Sequence, residues 1–302
     1  MTVLKVVYIF LVSVGLGLVF GFVSQEKPLN TPNHKIQIRP LYMTPALFSS
    51  ALHHQPLSTG QFTQQIAGAI VNHHLLASDF IVDTLAQAYR PNIDRIILLS
   101  PNHFSTGRGR LITTRGIFST PLGPVEVDES VVDQLTKREI VVQDAEPFTT
   151  EHGIYNILPF LHVLYPRIPI IPVITKDKTP DQVLDSVAVQ LERFITPRTL
   201  VVASLDFAHE QTNEGAEQLD QDSLRRLHEL DGDTMRLNIG DEIQVDSPGT
   251  LRIFLHLMKF QNATTWTLLH HSNSALETGH LQATDVTSHI TGLFSRFPIV
   301  IH

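Results

Sequence analysis

The chain has no cysteine. Disulfides, thiolate-held iron–sulfur clusters and cysteine nucleophiles are therefore excluded, and any metal ion must be held by nitrogen and oxygen. Charge is also scarce, at 17% of residues with a formal net charge of -8, and lysine and arginine form no cluster. A nucleic-acid backbone is recognised through a basic patch, so nucleic acid is not an expected partner. No glycine-rich phosphate loop follows the first strand signal, because Val71-Asn72-His73-His74 lacks the glycines that a nucleotide turn requires. Nor does a Gly-x-Ser-x-Gly elbow occur, which counts against an α/β-hydrolase. The single tryptophan, Trp266, and the phenylalanines are spaced as core residues and require no cofactor.

What is present is apolar sequence in quantity. With 42% hydrophobic residues over 302 positions, the chain can bury a sizeable core, and one large domain is expected. The N-terminus stands apart. Residues 1–24 form a hydrophobic segment in which Val6 to Val23 is interrupted only by Ser13 and three glycines, about long enough to cross a bilayer. No small-residue cleavage pair follows it, so an uncleaved membrane anchor is favoured over a signal segment. The protein is thus expected to be membrane-anchored or exported, with Lys5 set against Lys27, Lys35 and Arg39 and the orientation left open. Residues 25–61, carrying Pro28, Pro32, Pro40, Pro45 and Pro56, look like a linker and irregular lead-in to a domain spanning 62–302.

Within that domain, strand and helix signals alternate. Apolar runs ending at His73, over Ile96 to Leu99, Ile168 to Ile174 and Leu200 to Leu205 predict buried strands. Arg110 to Thr114, Val125 to Val127, Thr264 to Leu269 and Val286 to Phe294 predict further strands. Helices are expected after Ser78-Asp79, around Val131 to Lys137, from Thr179-Pro180, from about Ala216 to Leu230, and from a Ser247-Pro248 cap to Phe260. Glu151 to Leu164 has helical spacing, but Pro159 should kink it or confine the helix to one side. The order suggests a single α/β domain with a largely parallel or mixed central sheet flanked by helices.

Two of the 16 histidines stand where apolar strands run out: His73 after Ala69-Ile70-Val71-Asn72, and His103 after Ser100-Pro101-Asn102. Ligand sites in open α/β sheets lie beyond the carboxyl ends of strands, so imidazoles placed there suggest a metal or substrate site. A third strand end carries Asp206 and His209 in Ser204-Leu205-Asp206-Phe207-Ala208-His209. Glu151-His152-Gly153 opens a helix, where Glu151 equally fits a capping acid and His152 a surface residue. His74 neighbours His73, and alternate residues of a strand face opposite ways, so only one of the two should enter the rim. His270 and His271 end another apolar run and are expected to be structural.

These pieces together resemble the Memo family, whose bacterial members are called AmmeMemoRadiSam system protein B and which is related to the class III extradiol dioxygenases. The matching strings are Ala69-Ile70-Val71-Asn72-His73, Ser100-Pro101-Asn102-His103, Glu151-His152-Gly153-Ile154 with Leu158-Pro159-Phe160-Leu161, and Ser204 to His209. They occur in the family's order across most of residues 66 to 295. The resemblance implies a class III extradiol dioxygenase-like fold and a metal bound by two histidines and a cysteine near the C-terminus, or by a glutamate in the related dioxygenases. It selects His73 over His74. This chain has no such cysteine, and counting back from Ser288-His289-Ile290-Thr291-Gly292 puts that position near His280. The ligand set implied is His73, His103 and His280, with Glu277 as second candidate for the third position and Asp285 as a third.

A divalent metal is expected, iron first, with copper or zinc as alternatives. Asp206 and His209 are the candidate catalytic pair, orienting the rings or moving protons, and His74, Asn102, Glu151, His152 and Glu277 are candidates to line a substrate cleft. The favoured function is a metal-dependent oxidoreductase acting on a small molecule. The alternatives are a non-catalytic module that binds a peptide or small molecule, and a zinc-dependent hydrolase. The family name implies association with a radical-SAM protein and an AMMECR-domain protein.

Overall fold

A computed structural model describes residues 36–40, 48, 52, 66–230, 238–239 and 242–296. The hydrophobic segment 1–24, and with it the expected anchor, lies outside the described residues, as does most of 25–61. Among the described residues no helix is long and apolar enough to cross a membrane.

The strands in chain order are β1 (Gln37–Ile38), β2 (Ile66–Val71), β3 (Arg95–Pro101), β4 (Leu111–Thr113), β5 (Ile117–Thr120), β6 (Gly123–Glu126) and β7 (Val141–Gln143). They continue with β8 (Ile170–Thr175), β9 (Thr199–Ser204), β10 (Phe207–Gln211), β11 (Asn238–Ile239), β12 (Glu242–Val245), β13 (Thr265–Asn273) and β14 (Val286–Ser295). The helices are α1 (Ser78–Gln87), α2 (Glu129–Thr136), α3 (His152–Tyr155), α4 (Leu158–Leu164), α5 (Asp181–Glu192), α6 (Asn213–Glu229), α7 (Pro248–Phe260) and α8 (Ser274–Thr278).

The centre of the sheet is the parallel set β2-β9-β3-β8. Its strands are continuous apolar runs because both faces are covered by helices. Side-chain alternation divides them between two cores. Ala69, Val71, Ile96, Leu98, Leu200 and Val202 pack with α1, α3 and α4 on one face. Ile70, Ile97, Leu99, Val201 and Ala203 pack with α2, α5 and α7 on the other. Antiparallel strands extend the sheet at both ends, β4 beside β8 and β14 beside β2, so the sheet is mixed. A small separate sheet joins β1, β5 and β6. Through it the lead-in enters the folded unit: Gln37–Ile38 pairs with β5, and Ile38 is buried.

Two elements differ instructively from the sequence expectation. The helix over Glu151 to Leu164 is divided, with α3 ending at Tyr155 and α4 starting at Leu158. Pro159 falls in the first turn of α4, where a missing N–H costs nothing. The strand expected at Thr264 to Leu269 runs on as β13 to Asn273, so His270 and His271 lie within it.

Strand β14 organises the site end of the sheet. One of its edges is occupied along its length by β13, from Thr265 opposite Ser295 to Asn273 opposite Ser288. Its other edge is shared: Gly292 to Ser295 pair with β2, and Ser288 and Val286 pair with β10. A notch therefore opens opposite His289, between the carboxyl end of β2 and the start of β10. The close approach of β13 to β14 requires Gly292, where an added Cβ would lie 2.3 Å from the backbone oxygen of Thr267 and 2.5 Å from the Trp266 ring. Because a backbone carbonyl cannot withdraw, Gly292→Ala is expected to destabilise the protein by about 1–3 kcal/mol in urea unfolding. An unchanged midpoint would show that β13 is not held at that spacing.

Candidate metal centre

Four chain segments meet at the notch. Past β2, Asn72 turns the chain by donating from Nδ2 to the carbonyls of His74 (2.9 Å) and Ala77 (3.2 Å), leaving His73 buried. Past β3, the Asn102 amide donates to Thr175 O (2.8 Å) and its side chain to Thr106 O (2.9 Å), which fixes the position of His103. Past β9, the chain turns at Leu205-Asp206 into β10. Past β12, Asp246 precedes α7, whose N-cap is Ser247. Helix α3 completes the wall and brings Glu151 and His152. It can sit this close because residue 153 is glycine, whose added Cβ would lie 2.2 Å from Ser100 Oγ and 3.4 Å from His73 Nδ1.

Hydrogen bonds fix which ring nitrogens carry protons. Ser204 Oγ donates its only proton to Gly153 O (2.6 Å), so at 3.1 Å it must accept from His73 Nδ1–H. Glu151 Oε1 accepts a hydrogen bond from His103 Nδ1–H at 2.7 Å, while its Oε2 accepts the His103 backbone N–H at 2.8 Å. In the neutral rings both lone pairs are therefore on Nε2. Those two nitrogens lie 3.3 and 3.6 Å from the same atom, Asp246 Oδ2. The potential ligand atoms of His73, His103 and His152 all lie within 4.8 Å of one another, so these imidazoles could hold a metal ion. The donor set suits one, since imidazole nitrogen and carboxylate oxygen both bind first-row divalent ions. Asp246 Oδ1 is buried with no hydrogen-bond partner.

A family profile described as Memo-like protein matches residues 71–288. The chain belongs to the Memo family. Among relatives, the MEMO1 family protein of Caldivirga maquilingensis is 28% identical over 192 residues, covering 62% of this chain and 68% of that protein. The MEMO1 family protein of Metallosphaera sedula is 32% identical over 152 residues, covering 49% and 53%. The match thus spans between about half and two thirds of these relatives' lengths. Among solved structures, uncharacterized protein JW3007 from Escherichia coli K12 aligns over 75% of this chain and 99% of its own with a TM-score of 0.49 at 14% identity, too slight a likeness to bear on fold or function.

The Memo segment contains His73, His103, Glu151, His152, Asp206 and Asp246, and ends one residue before His289. His152 is only partly buried, and its ring stacks on His103 at 4.0 Å with a 28° tilt, whereas His73 meets His103 edge-on at 4.9 Å and 87°. His280 is not in this group: it is exposed in the turn that follows Gly279, the left-handed C-cap of α8. Counting back along a strand could not anticipate that helix. Glu277 lies on α8 and accepts a hydrogen bond from Ser272, and Asp285 is exposed. His74 is exposed and stacks on His289 at 5.4 Å. His209 Nδ1 bonds Thr287 Oγ1 at 3.2 Å, and its buried Nε2 has no partner.

Two residues of this wall have no signal in the sequence reading. Asp246 follows a four-residue strand too short to register as a pattern, and it stands beside a Ser247-Pro248 pair that reads only as a helix cap. His289 is fully buried, with Nδ1 3.5 Å from Asp206 Oδ1. His270 and His271 instead bond Asp83 and Asp220, at 2.7 and 2.8 Å.

Burial and charge act in opposition here. Burial works against the Asp206 carboxylate, yet the facing rings of His73, His289 and His209 hold its carboxyl well below the usual range. Burial raises Asp246, with His103 opposing the rise. Burial lowers His152 to about 4, helped by the charge of His103. Burial also disfavours the His103 cation, but hydrogen bonds and charge from Asp246 and Glu151 prevail and raise it to about 10. Alongside the centre lies a cavity of about 580 Å³ whose lining includes His103, Asp246, Asn102, Lys176 and Arg252.

In the metal-free protein, the stabilisation from His103⁺ is fully present below its unfolded pKa, about 6.5, and is lost as pH rises through about 10. Chelator-treated wild type is expected to exceed Glu151→Gln in unfolding free energy by on the order of 2 kcal/mol near pH 6. That gap should shrink towards pH 10. A gap that stays constant with pH would separate Glu151 from the charge on His103.

Proposed function

We propose that this Memo protein is a metal-dependent oxidoreductase acting on a small molecule that enters the cavity beside His103, with iron the preferred ion and copper or zinc the alternatives. The observation that carries this reading is the convergence of two imidazole Nε2 lone pairs, that of buried His73 and that of His103, whose side chain is 22% exposed, each oriented by a bond at its own Nδ1. Imidazoles held in this way by a hydroxyl or carboxylate at the far nitrogen are typical of metal ligands. When bound, such an ion supplies Lewis acidity and, if it is iron or copper, one-electron redox chemistry.

The protein's own groups divide the remaining work. Ser204 and Glu151 set the tautomers of His73 and His103. Asp206 anchors the His73 backbone, accepting its N–H at 3.3 Å, and places a negative charge 3.4 Å from Nε2. His209 has an unpartnered Nε2 and acts electrostatically on both Asp206 and Asp246, which suits it to accept or return a proton. The cavity's walls carry Lys176, Lys178 and Arg252 beside Asp177 and Asp181, a lining for a polar rather than an oily molecule.

Protein purified without a histidine tag should carry about one divalent ion per chain by elemental analysis, and His73→Ala/His103→Ala less than roughly a tenth of that. Equal metal in the double variant, or none in the wild type, would refute the reading.

A further inference from the structure

Two imidazoles leave the identity of the third protein ligand open. We propose that Asp246 fills this place, making the centre a two-histidine, one-carboxylate set rather than a three-histidine one. The inference rests on the metal site proposed above and concerns only its third ligand.

Position is the first reason. Asp246 Oδ2 faces both Nε2 atoms, at 3.3 Å from His73 and 3.6 Å from His103. With both lone pairs on Nε2, three electron-pair donors meet at one point, and they repel unless a proton or a metal ion lies among them. The carboxylate is also fixed in place. Its Oδ2 accepts the Asp206 N–H at 3.1 Å, and its own N–H donates to Asp206 O at 3.1 Å. The side chain is only 5% exposed, and among the described residues Oδ1 has no hydrogen-bond partner.

Ring geometry argues against His152. A ring nitrogen's lone pair lies in the ring plane, so rings stacked at 4.0 Å with a 28° tilt point their lone pairs side by side rather than at a common atom. His73 and His103, at 87°, do converge. Charge supplies an independent reason. Asp206 and Asp246 both approach His73 Nε2, within 3.4 Å, and among the described residues neither forms an ion pair with a lysine or arginine. Two buried carboxylates around one buried ring favour a bound cation, because an unpaired buried charge is costly; in the metal-free protein the His103 ring faces Asp246 in that role. With no thiol in the chain, a carboxylate is the anionic donor on hand, and two histidines with one carboxylate suit iron(II) with open positions for substrate.

Cobalt(II) added to the chelator-treated full chain provides the test, because it absorbs visibly and reveals sulfur ligation. Asp246→Asn should weaken cobalt binding by about 100-fold or more in chelator competition, whereas His152→Ala should weaken it by less than about tenfold and His280→Ala should leave it unchanged. Asp246→Cys should give a thiolate-to-cobalt charge-transfer band in the near ultraviolet, which the cysteine-free wild type cannot show. Because the band is gained rather than lost, its appearance at an affinity like that of wild type marks ligation at position 246 and not a loss of fold. Cobalt affinity within threefold of wild type in Asp246→Asn, no such band in Asp246→Cys, or a larger loss from His152→Ala than from Asp246→Asn would each overturn the inference. In those outcomes wild-type loading stays intact and the metal site survives. Failure of wild-type protein to take up cobalt would overturn both.

Discussion

The orientation of two imidazoles is the constraint on which the rest depends. His73 and His103 come from strand ends 30 residues apart in sequence. Each is held at Nδ1, by Ser204 in one case and Glu151 in the other, so that Nε2 faces the same carboxylate oxygen. Neither ring could be placed this way by its own strand. Ser204 reaches His73 because β9 lies parallel and adjacent to β2, with Val71 opposite Ser204. Glu151 reaches His103 because the break before Pro159 frees a single helical turn, α3, to lie on the strand ends. Gly153 then leaves room for that turn against Ser100 and His73.

The sheet makes this arrangement possible by being interrupted. A strand that paired along one whole edge with a single neighbour would leave no opening, but β14 changes partner from β2 to β10 and leaves His289 facing the notch. The buried polar groups there depend on one another: Asp206 is bonded through its backbone to Asp246, through its carboxylate to the His73 N–H, and lies beside His289. In a region of low dielectric such a set is stabilising only when complete. In the metal-free protein the charge on His103 completes the set, and a metal ion would take its place. A bound ion would add to folding stability as well as supply chemistry.

The parallel strands were legible because a strand buried on both faces leaves an unbroken apolar run, as in Ile96 to Leu99 and Leu200 to Ala203. The placement of His73 and His103 at the ends of β2 and β3 follows from the same runs. The short polar strands β10 and β12 leave no such trace, so the segment carrying Asp246 read only as the entry to a helix. His280 was expected at the centre because a count along the chain assumes an even path, whereas the chain winds through α8 and leaves that ring in solvent. His152 reads as a surface residue or a cleft candidate and not as a partner of His103, because stacking is a contact between segments that no local pattern encodes.

The central claim, that these two imidazoles grip one ion, is tested most directly by anomalous diffraction at the metal edge from crystals of the loaded protein. The account predicts a single strong peak about 2.0–2.2 Å from Nε2 of both His73 and His103. Anomalous density confined to other histidines, with those two nitrogens left in contact only with protein or water, would contradict it.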